Sequence, residues 1–191
     1  MKKKIMKNEQ SIDKANVEYG KFWGRALAYI ADGLILMLIS LPITYLNITE
    51  YKSFNLYLII AIFGFLYKPI LEFYFGATIG KYFLGLRVTN RNYNRISLSQ
   101  SFLRSLILTL PSTLFIPIFY LAFNNPDILK IDSFIEYSQA VALNYPIQNY
   151  ISYVIQLILV IEIIILLTDK TKTQRALHDR IGRTFVVRTK I

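Results

Sequence analysis

The sequence contains no cysteine, and His178 is the only histidine among its 191 residues. Without cysteine the chain forms no disulfide bond, no thiolate nucleophile and no cysteine-ligated metal site. A single histidine also argues against a metal site built from histidines. We therefore expect no metal and no cofactor.

The motifs of soluble enzymes are also missing. Gly76 to Lys81 is similar to a phosphate-binding loop, but Tyr82 stands where Ser or Thr would bind magnesium, and the glycines are spaced one residue too closely. His178 and Asp179 have no serine or cysteine nucleophile beside them in the sequence, so a hydrolytic triad is not supported. We predict that the protein is not an enzyme.

Charged residues are scarce in four long apolar stretches, although the formal net charge is +10. The stretches are Phe22 to Leu46, Phe54 to Phe75, Phe102 to Phe123 and Ile151 to Thr168. Each is about long enough to cross ~30 Å of hydrocarbon as a helix. Helices of a soluble bundle would show regular polar faces, which residues 59–63 and 161–167 lack. The sequence predicts an all-α integral membrane protein built as a four-helix transmembrane bundle.

The positive charges fall on alternate sides of these stretches. Six Lys precede the first stretch and seven Lys and Arg follow the fourth. Five more are counted with the central loop: Lys81, Arg87, Arg91, Arg95 and, at the beginning of the third stretch, Arg104. The other two loops hold one each. By the positive-inside rule, the N and C termini and the central loop are cytoplasmic. A basic balance also occurs in nucleic-acid-binding proteins, but the apolar stretches leave little chain for a basic soluble surface. We therefore expect no nucleic-acid partner.

The predicted organisation has three parts. Residues 1–21 form a basic cytoplasmic tail, residues 22–168 form the transmembrane domain, and residues 169–191 form a basic cytoplasmic segment that belongs to that domain. The outer loop, 124–150, contains apolar residues that could form a short amphipathic helix on the membrane surface. A plain exposed loop is the alternative.

The inner loop, 76–101, carries signals of local structure. Ser97 and Gln100 have the spacing of a capping box, which predicts the start of the third helix. Residues Thr184 to Arg188 are rich in β-forming side chains. We predict that they pair with Gly85–Thr89 as a small cytoplasmic β element.

A charged side chain inside an apolar stretch is costly, on the order of 3 kcal/mol near the bilayer centre. Arg25 and Asp32 share one face of the first stretch, Glu72 closes the second, and Glu162 lies within the fourth. Arg25 could reach lipid phosphate, whereas Asp32 lies deeper and must be neutral, paired or hydrated. One interpretation is a buried pathway for protons or cations through Asp32 and Glu162. The other is a buried ion pair that only fixes the helix register.

Three blocks of the sequence resemble the RDD family of small membrane proteins, which is named for one arginine and two aspartates. The blocks are Arg25 to Gly33, Thr78 to Val88 and Arg175 to Val187, and they supply Arg25, Asp32 and Asp179 as the three named residues. They occur in the family's order over nearly the whole chain. The sequence departs from the family pattern at Arg183, which separates Gly182 from Thr184, and in its longer outer loop.

The resemblance implies that Gly80, Lys81, Gly85, Arg87 and His178 are structural positions of the family motifs. The family's molecular function is largely undefined, and transport of an unknown ligand is the usual suggestion. Our leading hypothesis is therefore a small transporter in a bacterial cell membrane, with exchange of a monovalent cation for protons as its reaction. A homo-oligomer is expected, because four helices rarely enclose a gated pathway.

In this hypothesis Asp32 is the protonatable carrier. Arg25 and Asp179 flank the cytoplasmic mouth, and Glu72 and Glu162 are further candidates for the ion pathway. The alternative is a membrane scaffold or accessory subunit whose basic inner face binds anionic lipid headgroups or a cytoplasmic partner. In that case the charged residues only hold the bundle together.

Overall fold

The computed structural model describes residues 17–189, which form helices and one two-stranded sheet. The predicted basic tail, 1–21, therefore lies outside the described residues up to position 16, as do the last two residues of the C-terminal segment. The described part of the chain is mostly helical.

The first two predicted stretches are helices with nearly the predicted bounds. Helix α1 covers Phe22–Leu46 and continues into a π-helical turn, Asn47–Tyr51. Helix α2 covers Phe54–Phe75. It begins where the hydroxyl of Ser53 accepts a hydrogen bond from a backbone N–H, and it ends at Gly76, whose φ of 72° suits a residue without a side chain.

The third predicted stretch is not one straight helix. Helix α4 covers Leu98–Thr109, a 3₁₀ turn covers Pro111–Leu114, and helix α5 covers Phe115–Ala122, with a bend of 54° at the break. Pro111 lacks the N–H that would continue the helical ladder and crowds the preceding turn, so the helix breaks there. The predicted capping box is confirmed, because Ser97 and Gln100 hydrogen-bond each other's backbone N–H.

The predicted outer loop contains two helices, α6 at Pro126–Leu129 and α7 at Phe134–Asn144. Helix α7 buries Tyr137 and Val141 in an apolar cluster with Ile118 and Phe123. This part of the predicted outer loop is therefore a helix and not a plain exposed loop, and one side of the helix packs on the protein. Helix α8, Ile147–Thr168, begins four residues before the predicted start of the fourth stretch.

The remaining elements form a small layer at one end of the long helices. They are helix α3 at Ile79–Phe83, strand β1 at Leu86–Asn90, helix α9 at Leu177–Ile181 and strand β2 at Thr184–Arg188. The strands are antiparallel, with Val88 opposite Val186. The predicted β element is confirmed, with its first strand displaced by one residue. Tyr19 adds an isolated bridge to Val187, so the segment before α1 joins the same layer.

Three helices of the described residues are long and apolar enough to cross a membrane: α1 with its π-helical turn, α2 and α8. The bent pair of α4 and the segment Pro111–Ala122 makes a fourth if it counts as one span. In the most apolar part of each long helix, at most 11% of the residues are buried. Such exposed apolar surface is stable against lipid and not against water.

Candidate functional site

Five charged side chains meet where the long helices join the small layer, and we call them the charge network. They are Arg25 of α1, Glu72 of α2, Lys81 of α3, Arg104 of α4 and Asp179 of α9. Glu72, Arg104 and Asp179 have no exposed surface at all. Buried charges are tolerated only when they are paired, and here each carboxylate faces two cations.

Arg104 lies at the centre of the charge network. Its Nη2 donates to Oδ1 of Asp179 over 2.9 Å, and its Nε lies 3.2 Å from Oε2 of Glu72 at an angle unsuited to a hydrogen bond. Its Nη1 lies 3.4 Å from the hydroxyl of Thr184 at the start of β2. Arg104 therefore links two long helices to the C-terminal layer.

Asp179 receives a second guanidinium, since Nη1 of Arg25 donates to its Oδ2 over 2.5 Å. The backbone N–H of Ala176 also donates to Oδ2, over 3.2 Å. Burial alone would raise the pKa of Asp179, but the nearby charges of His178, Arg25 and Arg104 outweigh it and hold this pKa far below its usual range. Asp179 is therefore a permanent anion.

Lys81 forms an ion pair with Glu72. Burial lowers the pKa of Lys81, and the negative charge of Glu72 offsets only part of this effect. The charge of Lys68, one helical turn before Glu72, also acts on this carboxylate. Glu72 is thus surrounded by positive charge from α2, α3 and α4.

Glu162 of α8 contacts His178 and not the charge network itself. Its Oε2 lies 2.9 Å from Nδ1 of His178, and its Oε1 accepts a hydrogen bond of 3.0 Å from the His178 backbone N–H. Burial lowers the pKa of His178, and the negative charge of Asp179 opposes this shift without cancelling it. Because an ionised carboxylate can only accept a hydrogen bond, Nδ1 of His178 is the donor to Glu162.

Asp32 is bonded by neutral groups alone. Its Oδ1 accepts from the hydroxyl of Tyr67 and the backbone N–H of Gly80, both over 2.8 Å, and its Oδ2 accepts from the hydroxyl of Thr78 over 2.6 Å. Among the described residues, no Lys, Arg or His nitrogen lies within 4.0 Å of it. Asp32 is therefore fixed in orientation but has no adjacent counter-charge.

Gly80 is where α3 touches α1. A Cβ atom at this position would lie 2.3 Å from the backbone oxygen of Ala28 and 3.0 Å from Oδ1 of Asp32. Only glycine allows this approach, and the approach brings the Gly80 N–H within reach of Asp32.

Gly85 and Arg87 shape the start of β1. Gly85 has a φ of 63°, and its carbonyl oxygen accepts a hydrogen bond from Thr189 N–H after β2. The side chain of Arg87 lies over Gly76, where a Cβ atom would be 3.0 Å from Arg87 Nε. The structural role that the family motif implies for both positions stays a prediction.

The structure brings some of the predicted site residues together and separates others. Arg25, Glu72 and Asp179 share the charge network, whereas Asp32 and Glu162 bond different partners on different elements. Sequence reasoning counted Arg104 with the inner-loop charges and missed its central role. The available signal was its position inside the predicted third stretch, where a charge needs a partner.

A cavity of about 730 Å³ lies between α1, α2, the bent segment after α4 and α7. Its wall is apolar with several hydroxyls, among them Ser40, Thr44, Thr113 and Ser138. Leu36 lines it and lies four residues after Asp32, which is about 6 Å along the axis of α1. The cavity therefore extends from the predicted outer loop to within about one helical turn of Asp32.

Within residues 17–189, no group of three or more His, Asp and Glu side chains is arranged to hold a metal ion. The acidic groups bond basic side chains or neutral donors instead.

Residues 19–183 match the model of the RDD family. Comparison with curated proteins and with solved structures finds no significant match. The matched region includes the first two family blocks, the third block as far as Arg183, strand β1, the charge network and the cavity, and it ends one residue before β2. The chain belongs to the RDD family.

Proposed function

We propose that this protein is a small, non-enzymatic membrane transporter that exchanges a monovalent cation for protons, with Asp32 as the carboxylate that holds either ion. The observation that carries the proposal is the charge balance of Asp32. Glu72 and Asp179 each face two basic side chains, whereas Asp32 faces only hydroxyls and one backbone N–H among the described residues. A carboxylate that lacks a fixed counter-charge is free to bind a mobile one.

The cavity supports this proposal because it gives Asp32 an approach. Its lining on α1 begins one turn beyond Asp32, at Leu36, and continues through Ser40 and Thr44 to the end of that helix. On α4 it includes Thr109, five residues and about 7.5 Å beyond Arg104. The cavity thus ends close to the layer of buried charges.

The positions of the chain's turning points support four spans with both termini in the cytoplasm. The segment before α1 joins β2, which pairs with β1 after α2. The side chain of Gln100, in the first turn of α4, donates to the carbonyl oxygen of Gly182, beyond α8. These four points meet at one end of the long helices, which supports a crossing by the bent pair. The basic segments then lie on one side, as the positive-inside rule requires.

In this topology the charge network is the cytoplasmic closure. Arg25 and Asp179 flank the cytoplasmic mouth. Together with Glu72, Lys81 and Arg104 they hold five elements in contact. Separation of such buried pairs is costly unless water or a partner replaces them. A transport cycle would therefore open this end only while the charges are rearranged.

The test is proton movement in inside-out vesicles from bacterial inner membrane. A pH gradient is set up, and sodium, lithium or potassium is then added. We expect the wild type to collapse the gradient and Asp32→Asn to fail. Asp127→Asn is the matched control, because Asp127 lies in the predicted outer loop and is 87% exposed. Retention of exchange by a folded Asp32→Asn protein would remove Asp32 from the mechanism.

A second function, that of a membrane scaffold or accessory subunit, is favoured by a different observation. Both carboxylates of the charge network are paired with basic side chains of the protein itself, so neither needs a bound cation. The basic cytoplasmic face of the protein would then bind anionic lipid headgroups or a protein partner. Co-purification in mild detergent distinguishes this case, since a scaffold brings a stoichiometric partner with it. No response to any cation from folded protein would favour this function.

A further inference from the structure

The wall of the cavity is unusually aromatic for a path taken by a small hydrated ion. Eight of its lining residues are Phe or Tyr, and within the described chain no Lys, Arg, His, Asp or Glu lines it. Polar atoms are a minor part of the wall, and the hydroxyls are scattered between the rings. An alkali cation would find few oxygen ligands there.

Four of the rings form a continuous group. Tyr57 stacks on Phe119 with 4.5 Å between ring centroids, and Phe119 lies 6.5 Å from Phe123. Phe123 in turn lies 5.8 Å from Tyr137 of α7. Aromatic faces carry negative charge density, so a group of them attracts an organic cation within about 6 Å.

The hydroxyl of Tyr137 is a second, independent sign of a ligand. Tyr137 is 1% exposed, it lines the cavity, and its hydroxyl has no hydrogen-bond partner among the described residues. Buried hydroxyls are normally bonded, because an unmade hydrogen bond costs stability.

The charges around the inner end of the cavity leave one negative group for a ligand. Asp32 has no basic partner among residues 17–189, as described above. Lys68, three residues beyond the lining residue Phe65, acts on Glu72 and Asp179, and Lys81 pairs with Glu72. The basic side chains at this end of the cavity therefore act on the carboxylates of the charge network.

We propose that the cavity binds a lipophilic organic cation, with the cationic centre against the aromatic group, and exchanges it for a proton at Asp32. One cation that crosses in one direction is exchanged for one proton that Asp32 carries in the other, so charge is conserved. The cavity volume of about 730 Å³ lies within the range of about 300–1,000 Å³ typical of pockets for drug-sized ligands. This inference rests on the proposed function and names its substrate class.

The binding test uses purified protein and radiolabelled tetraphenylphosphonium, with excess unlabelled cation to define specific binding. We expect saturable binding. Triphenylphosphine oxide, a neutral molecule of similar shape, should compete poorly. Equal competition by the neutral molecule would overturn the inference, because it would show that the cavity recognises apolar surface and not charge.

Variants of Tyr57 test the aromatic wall. Tyr57→Leu should weaken tetraphenylphosphonium binding about tenfold, whereas Tyr57→Phe keeps the ring and should bind as the wild type does. Phe115→Leu, at another lining position, should also weaken binding. It serves as a second test if Tyr57→Leu does not fold. Phe83→Leu is the control, since Phe83 is 72% exposed on α3, away from the cavity. Unchanged binding in folded Tyr57→Leu and Phe115→Leu would overturn the inference.

Vesicle experiments separate this inference from the proposed function. Proton release by tetraphenylphosphonium that is lost in Asp32→Asn supports both. Exchange with sodium or potassium but not with tetraphenylphosphonium would overturn the inference and leave the proposed function standing. Binding without proton movement by any cation would overturn the exchange step and the proposed function together.

Discussion

Replacement of Arg104 by methionine should be the most damaging single change at the charge network. Arg104 is fully buried and bonds Asp179 over 2.9 Å while its Nε lies 3.2 Å from Glu72. Removal of one partner from a buried ion pair typically costs about 3–5 kcal/mol, because the other charge stays buried. Lys81 and Arg25 still face the two carboxylates, so we expect a cost near the lower end, about 3 kcal/mol.

The assay is unfolding in mixed micelles with a rising fraction of sodium dodecyl sulfate, followed by circular dichroism. Lys130→Met is the matched control, because its pair with Asp127 joins side chains that are 74% and 87% exposed. Exposed pairs contribute about 0–1 kcal/mol. The two variants remove the same charge from the protein, so their difference isolates the effect of burial.

A double-mutant cycle makes the test sharper. If Arg104 stabilises the protein by facing Asp179, then Arg104→Met combined with Asp179→Asn should cost less than the two single changes together, by about 1–3 kcal/mol. Equal effects of Arg104→Met and Lys130→Met would refute the reasoning. Strict additivity with Asp179→Asn would assign the stabilisation to other contacts.

Three further predictions concern other parts of the fold. Gly80→Ala should destabilise the protein by about 1–3 kcal/mol, because the new methyl group would lie 2.3 Å from a backbone oxygen of α1. Gly33→Ala meets nothing within 4 Å and should leave the stability unchanged. The same unfolding assay checks both variants. Asp169 accepts hydrogen bonds from Thr171 and the next turn, which lower its pKa from 3.8 to about 2. Its contribution to stability is therefore complete above about pH 4 and is lost as the pH falls towards 2. Unfolding midpoints across this range should decline less in Asp169→Asn than in the wild type. Cysteines introduced at the paired positions Thr89 and Phe185 should form a disulfide on mild oxidation, and no crosslink in folded protein would contradict the strand register.

The sequence was sufficient for the helices and for the pairing of the strands, because both follow from local patterns. Long apolar stretches must be helical in lipid, and β-forming residues between turns predict strands. The break at Pro111 was harder to foresee, since proline in a membrane helix is often absorbed by a kink. Whether the apolar part of the outer loop would be a helix or a loop depended on its packing against residues distant in the sequence. The hydrophobic periodicity of the segment does not reveal such packing.

The candidate site was only partly predictable for a similar reason. The cost of burying a charge identifies which residues need partners, and Arg25, Glu72 and Asp179 do have them. It does not say which partner each residue takes. Asp32 bonds Thr78 and Gly80 because α3 folds back onto α1, and this contact depends on a glycine rather than on a charge.

The position of Asp179 near the end of the chain has a consequence for biosynthesis. Arg25 and Arg104 are made, and inserted close to the membrane, well before the ribosome reaches the carboxylate that they share. Until then two guanidinium groups have no common anion, and β1 has no strand to pair with. A nascent chain that stops before this point displays these unmatched groups at the membrane surface.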